Sequence, residues 1–419
     1  MTEFLSELQW RGLHFQSDPT LGEALAKGGL SAYCGFDPTA SSLHLGHLVP
    51  VMALMHLQRA GNRPIALVGG GTGMIGDPGG RTAERQLNAP DVVERYTDGI
   101  RSQLERFLDF SGTHGALMRN NADWLRPLGA IDFLRDIGKH FTVNYMLQKD
   151  SVKSRMEDGI SYTEFSYMLL QAYDYLELFR REGVTLQIGG SDQWGNITAG
   201  MELIRRVDGG DAHALTLPLV TTAAGTKFGK TEAGAVWLDA ERTSPYQFYQ
   251  FWINADDRDA GRYLRYFTLL SREEINTIER AMAEHPERRE AQRALADDVT
   301  TRVHGAEAAR AAGEVSALLF GKADPSTLST PGLDALAREI PTATVTRDAS
   351  GVIGTVGAFA TAFGMSKSEA RRLLSQGALS VDGRKLGVDD TALGEASLPG
   401  SRLLLRKGGR SYCLVTARG

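Results

Sequence analysis

Along the first ~220 residues the chain alternates short, continuous apolar runs with longer stretches whose apolar positions recur at helical spacing. Leu30–Phe36, Pro64–Val68 and Val184–Gly189 are β-rich runs bounded by turn residues, and they are expected as strands buried on both faces. Val49–Ala60 and Ser161–Arg181 carry the helical period. Such alternation implies a parallel sheet covered by helices, hence an α/β fold. The pattern changes over residues 241–320, where Ser271-Arg-Glu-Glu274 spells a capping box and Pro286 opens a further helical stretch that ends near His304-Gly305. This part is expected to be all-helical. Ala323–Pro341, with Pro325, Pro331, Gly332, Pro341 and several Ser and Thr, is expected as a linker.

Composition narrows the picture only slightly. At 419 residues the chain suggests two to four domains, and 42% hydrophobic with 23% charged residues is ordinary for a globular protein. Two cysteines exclude a disulfide scaffold and a cysteine-based zinc site, and they suit a reducing cytoplasm. Glu3 and Glu7 stand where a signal peptide would carry bases and an apolar core. The uncharged run Ala349–Ser366 holds four glycines, so it is expected as a buried helix with its entry loop and not as a membrane span. The net charge of −5 hides an asymmetry: residues 346–419 hold 11 basic and 6 acidic side chains, a local +5. That tail is either a small domain with a basic face or a surface for polyanions.

Five motifs carry candidate chemistry. Asp37-Pro-Thr39-Ala-Ser-Ser-Leu43-His44-Leu-Gly46-His47 follows a strand and opens a helix. Two histidines at a helix N-terminus can donate to phosphate oxygens, and Gly46 lets a planar group approach the backbone. The competing zinc reading lacks a third nearby His or Cys. Gly71-Thr-Gly73-Met-Ile-Gly76 matches a dinucleotide fingerprint in letters, yet Asp77-Pro78-Gly79-Gly80 stands where the fingerprint helix should run. A glycine-rich strand-end loop presenting Asp77 is preferred. Tyr167, Gln171 and Asp174 share one face of a helix, either as a solvated stripe or as the lining of a polar pocket. Leu186-Gln-Ile-Gly189-Gly190-Ser-Asp192-Gln193 ends a strand with a carboxylate that can accept from ribose hydroxyls. Gly225-Thr-Lys227-Phe-Gly-Lys230-Thr231 sets two lysines and a threonine in a small loop suited to phosphates.

Taken in order, these motifs resemble the class I aminoacyl-tRNA synthetases. His44-Leu-Gly-His47 is similar to the HIGH signature, and Lys227-Phe-Gly-Lys-Thr231 to KMSKS, with Phe228-Gly229 for Met-Ser. Tyr33-Cys-Gly-Phe-Asp-Pro-Thr39, Gly76-Asp-Pro78, Tyr167-x3-Gln171-x2-Asp174, Gly190-Ser-Asp-Gln193 and Ser244-Pro-Tyr-Gln-Phe-Tyr-Gln-Phe-Trp252 closely resemble the bacterial tyrosyl-tRNA synthetases. Ser366–Leu374 and Gly377–Gly383 resemble an S4-type RNA-binding domain, while Met365-Ser-Lys-Ser368 is a decoy for KMSKS.

The resemblance implies a Rossmann-like parallel-sheet catalytic domain (1–225), a KMSKS-type loop segment (226–240), a helical anticodon-side domain (241–322), a linker (323–350) and a small α+β S4-like domain (351–419). It implies activation of L-tyrosine with ATP and Mg²⁺, transfer to tRNA(Tyr), a cytoplasmic homodimer, and neither a structural metal nor membrane attachment. Thr39, His44, His47, Lys227, Lys230, Thr231, Arg81 and Arg85 would act on the phosphates. Tyr33 and Asp174 would meet the phenolic hydroxyl. Asp77, Tyr167 and Gln171 would bind the α-ammonium, with Gln193, Thr72 and Asn120 beside them. Gly35, Asp37, Gly46, Gly190, Asp192 and Lys230 would hold ATP, and Lys367, Arg371 and Arg372 would contact RNA. An NAD-dependent oxidoreductase resting on Gly71–Gly76, a non-catalytic RNA-binding protein and a tryptophanyl-tRNA synthetase are the rival readings.

Overall fold

The computed structural model describes residues 2–77, 88–153, 156, 159–231, 234–320 and 323–418. By compactness the chain divides into two units, one comprising Met1–Thr243 with Ala255–Ala291, the other Ser244–Asn254 with Gln292–Gly419.

The first unit is built on a six-stranded sheet of Gln16–Ser17 (β1), Ser31–Phe36 (β2), Arg63–Val68 (β3), Leu117–Asn120 (β4), Val184–Gly190 (β5) and His213–Leu217 (β6). Their order is β1-β6-β5-β2-β3-β4, and β1 alone runs antiparallel, as an edge strand. The chain winds outward from β2 through β3 to β4, then returns to lay β5 and β6 on the other side of β2. The β2/β5 boundary is therefore where the winding reverses, the place at which ligands of such sheets sit beyond the carboxyl ends of the strands.

Three helices fix that boundary. Leu48–Arg59 (α1) is buried almost all round, as its run of apolar residues requires. Tyr162–Glu182 (α2) starts where the Ser161 hydroxyl accepts from the Glu164 amide and stops at Gly183, which adopts φ 64°. Trp194–Asp208 (α3) packs beside α2, and Gly200 permits it: a Cβ there would lie 2.8 Å from the Tyr175 ring. Tyr175 is fully buried and its hydroxyl donates to the His213 carbonyl of β6 at 2.8 Å, tying α2 to the sheet. Residues 255–291 add Asp257–Phe267 (α4) and a helix over Arg272–Glu284, whose Ser271/Glu274 capping box forms in both directions.

In the second unit, Pro245–Ile253 buries Phe248, Tyr249 and Trp252, and Ala306–Phe320 packs beside it. The stretch expected as a linker is folded: Thr330–Glu339 is a helix capped by Ser329, and Thr342–Thr346 is a strand. That strand pairs in parallel with Ser411–Arg418 at the edge of a five-stranded sheet. Proline does not break this stretch because Pro331 sits in the first helical turn, where its missing N–H is no loss. The uncharged run yields the helix Thr355–Phe363, with Phe359 fully buried in the core of the unit. Among the described residues no helix is long and apolar enough to cross a membrane.

Candidate active site

A cavity of about 590 Å³ opens at the β2/β5 boundary of the first unit. Its buried polar lining includes Tyr33 of β2, Asp174 of α2 and Gln187 of β5, exposed by 1, 2 and 3%. Sheet register sets Tyr33 directly opposite Gln187. Among the described residues the Tyr33 hydroxyl and Gln187 Oε1 are buried without a hydrogen-bond partner. Asp174 accepts from Asn121 Nδ2 at 2.8 Å and from Trp124 Nε1 at 2.7 Å. Burial nevertheless pushes its carboxyl up to about 8, against those two donors and with help from the Asp37 and Glu177 charges.

Asp37, just past β2, is held from two sides: the Tyr167 hydroxyl donates to it at 2.8 Å and the Thr72 hydroxyl at 2.7 Å. Burial and then the nearby Asp37 and Asp77 charges raise the Tyr167 phenol well above its ordinary value, so it stays protonated as a donor. Gln193 donates to Asp77 at 2.6 Å and to Asp192 at 3.1 Å, and accepts from Gln171 at 3.2 Å. The polar stripe Tyr167–Gln171–Asp174 thus faces a pocket. Asp37, Asp77, Asp174 and Asp192 all line it, which suits a cationic group or hydroxyl donors.

At the start of α1, His44 and His47 line the same cavity with their rings 4.0 Å apart. His44 Nδ1 accepts from the Gly46 amide and His47 Nδ1 from the His44 amide, each at 3.1 Å. Burial lowers both imidazoles, His47 to about 3. Neutral rings whose Nδ1 atoms accept must carry their protons on Nε2, so each offers one N–H donor. Thr39, Gly35, Gly46, Gly190 and Lys227 complete this part of the lining.

Other expected residues lie elsewhere. Lys230 and Thr231 are exposed on a short strand outside the lining, although the Lys230 charge helps depress His44. Asn120 caps the Ala122 amide at 2.9 Å, and its neighbour Asn121 lines the cavity instead. Lys367, Arg371 and Arg372 are exposed on the helix Lys367–Ser375 of the second unit. Arg81 and Arg85 lie outside the described residues. The sequence gives no sign of two further residues: Gln187, a single polar letter in an apolar strand, lines the cavity opposite Tyr33, and Trp124 acts from behind it by donating to Asp174.

The family model "tRNA synthetases class I (W and Y)" matches residues 26–321. The chain belongs to this family. It is 53% identical over 421 residues to the tyrosine–tRNA ligase of Anaeromyxobacter dehalogenans and 51% identical over 419 residues to that of Geobacillus stearothermophilus, with at least 99% of each chain covered. Among solved structures, a C-terminally truncated mitochondrial tyrosyl-tRNA synthetase from Aspergillus nidulans superposes with a TM-score of 0.70 at 32% identity, covering 76% of this chain and 94% of that one. The α/β fold expected for the synthetase is the one observed.

Proposed function

We propose that this synthetase is a tyrosine–tRNA ligase. The tyrosine carboxylate attacks the α-phosphorus of ATP, the bond from that phosphorus to pyrophosphate breaks, and a ribose hydroxyl at the 3′ end of tRNA(Tyr) then takes the tyrosyl group from the adenylate as the acyl–phosphate bond breaks and AMP leaves. The observation that carries the tyrosine assignment is the buried, unpartnered Tyr33 hydroxyl in the same cavity as Asp174. A phenolic hydroxyl would give the Tyr33 hydroxyl a partner and Asp174 a further one, whereas a phenyl ring would leave the Tyr33 hydroxyl buried without a partner.

Asp77, Tyr167 and Gln171 would bind the α-ammonium. Asp192, with the close approach that Gly35, Gly46 and Gly190 permit, would hold adenosine. Thr39, His44, His47 and Lys227 would stabilise charge on the transferring phosphate, Lys230 and Thr231 would act from beside the cavity, and Mg²⁺ would enter with the nucleotide. The attacking carboxylate is ionised at pH 7, so activation needs no general base, and the neutral histidines serve as donors. Asp37 is already committed to Tyr167 and Thr72, so its part is to orient them. The tail would bind tRNA as an S4-like domain through Lys367, Arg371 and Arg372. A cytoplasmic homodimer belongs to the same reading, and Ile131 and Leu134, one helical turn apart and 74% and 50% exposed, suit an apolar contact. Pyrophosphate exchange with each of the twenty amino acids tests the proposal: exchange with tyrosine alone sustains it, and exchange with tryptophan and not tyrosine overturns it.

A further inference from the structure

We infer that Asp259 and Arg262, on a helix that carries none of the signature motifs, are positioning residues for the lysine loop. The loop 221–228 is a tight hairpin: Thr222 and Thr226 face each other, the Gly225 amide donates to the Thr222 carbonyl at 2.8 Å, and the Phe228 amide donates to the Val220 carbonyl at 3.2 Å. Thr221 and Lys227 are bridged across it, so the position of Thr221 sets that of Lys227 in the cavity.

Helix α4 grips this hairpin at three points. Asp259, 3% exposed, accepts from the Ala223 amide at 2.8 Å. Arg262 donates to the Thr221 carbonyl at 2.6 Å and, from the same nitrogen, to Asp259, which closes a clasp around the hairpin. One helical turn further on, Phe228 packs edge-on to Tyr263 at 5.0 Å and stacks on Phe267 at 4.8 Å. A buried carboxylate that binds a loop amide and an arginine makes strong, directional hydrogen bonds. An aromatic stack next to Lys227 restricts rotation of the loop about its own axis. A lysine carried by an isolated loop could sample many positions, and the clasp restricts it to the cavity lining. Stabilisation of charge on a transferring phosphate depends on where its donors stand, and these contacts set where the loop carries Lys227.

The inference rests on the role proposed for Lys227, and the test separates the two. Asp259→Asn should lower kcat for tyrosine-dependent pyrophosphate exchange by about 10- to 100-fold, the loss expected when a catalytic group is displaced by about 1 Å, with the KM for tyrosine kept within about twofold. Combined with Lys227→Ala, it should cost nothing further, because no lysine is left to position; losses that multiply would make Asp259 an independent structural residue and overturn the inference. Arg262→Gln should show the same pattern if Asp259→Asn folds poorly by thermal melting. Unfolding of both variants, or a normal kcat in both, overturns it. Normal exchange by Lys227→Ala would instead overturn the assignment of Lys227 itself.

Discussion

Asp174→Asn should make the free protein more stable while weakening its use of tyrosine. Burial holds this carboxyl at about 8 against an ordinary 3.8. At pH 7 the folded chain keeps a proton there that the unfolded chain has released, and at 1.36 kcal/mol per unit the cost is about 4 kcal/mol. Asparagine removes that cost. It also turns an NH₂ towards Asn121 or Trp124, which costs about 1–3 kcal/mol for a donor left facing a donor. The expected net gain is roughly 1–3 kcal/mol at pH 7. The pH dependence fixes the sign: with the folded value raised, this contribution to wild-type stability is fully present below about pH 4 and is lost as pH rises towards 8. The asparagine variant lacks that slope, so the two stability curves should cross near about pH 5. Urea midpoints at pH 4.5, 7 and 8 would show it, and exchange with tyrosine at pH 7 should fall by about 2- to 10-fold in the same preparation, the worth of a neutral hydrogen bond. A variant less stable than wild type at pH 8, or with an unchanged pH slope, would refute the reasoning.

Tyr33→Phe removes a hydroxyl that lacks a partner in the free protein, so melting temperature should hold or rise. Use of tyrosine should weaken by about 0.5–1.5 kcal/mol with use of phenylalanine unchanged, and equal losses for both amino acids would make the residue structural. Because His44 and His47 are both depressed, kcat for exchange should show no inflection near pH 6.5; a limb there that disappears in His47→Asn would contradict neutral donors. Reversing Arg371 and Arg372 to Glu should leave exchange intact and cut tRNA charging, and equal loss of both activities would remove RNA contact from that helix. Lys367→Ala, in the decoy motif, should leave exchange at the wild-type rate.

The parallel sheet was legible because its central strands are continuous apolar runs, whereas β4 and β6 escaped notice: Leu117–Asn120 is short and only half-buried, and His213–Leu217 begins with a polar residue. The helix face of Tyr167, Gln171 and Asp174 could be read from spacing, but its two interpretations differ only in what covers it, and that is set by β2 and β5 from distant sequence. Asn120 and Asn121 show the limit at the scale of one residue. A strand ends between them, neighbouring side chains diverge, and no local signal says which one turns inward. The linker expectation failed because proline was counted as a breaker when it was a first-turn residue. Asp259 and Arg262 carry no motif at all, since their meaning lies in a loop some forty residues upstream.

The division of the chain between its units has a consequence for biosynthesis. Ser244–Asn254 leaves the ribosome before Ala255–Ala291, yet it belongs with segments made after Gln292. The first unit is incomplete until residue 291 has emerged, and the helix that later buries Phe248, Tyr249 and Trp252 must wait for Ala306–Phe320 with those rings uncovered. During that interval the nascent chain displays an aromatic surface that the finished molecule hides, and hydrophobic surface exposed in this way invites aggregation or a chaperone. Slowing translation between residues 254 and 306 would prolong the exposure, and the yield of folded protein is expected to fall with it.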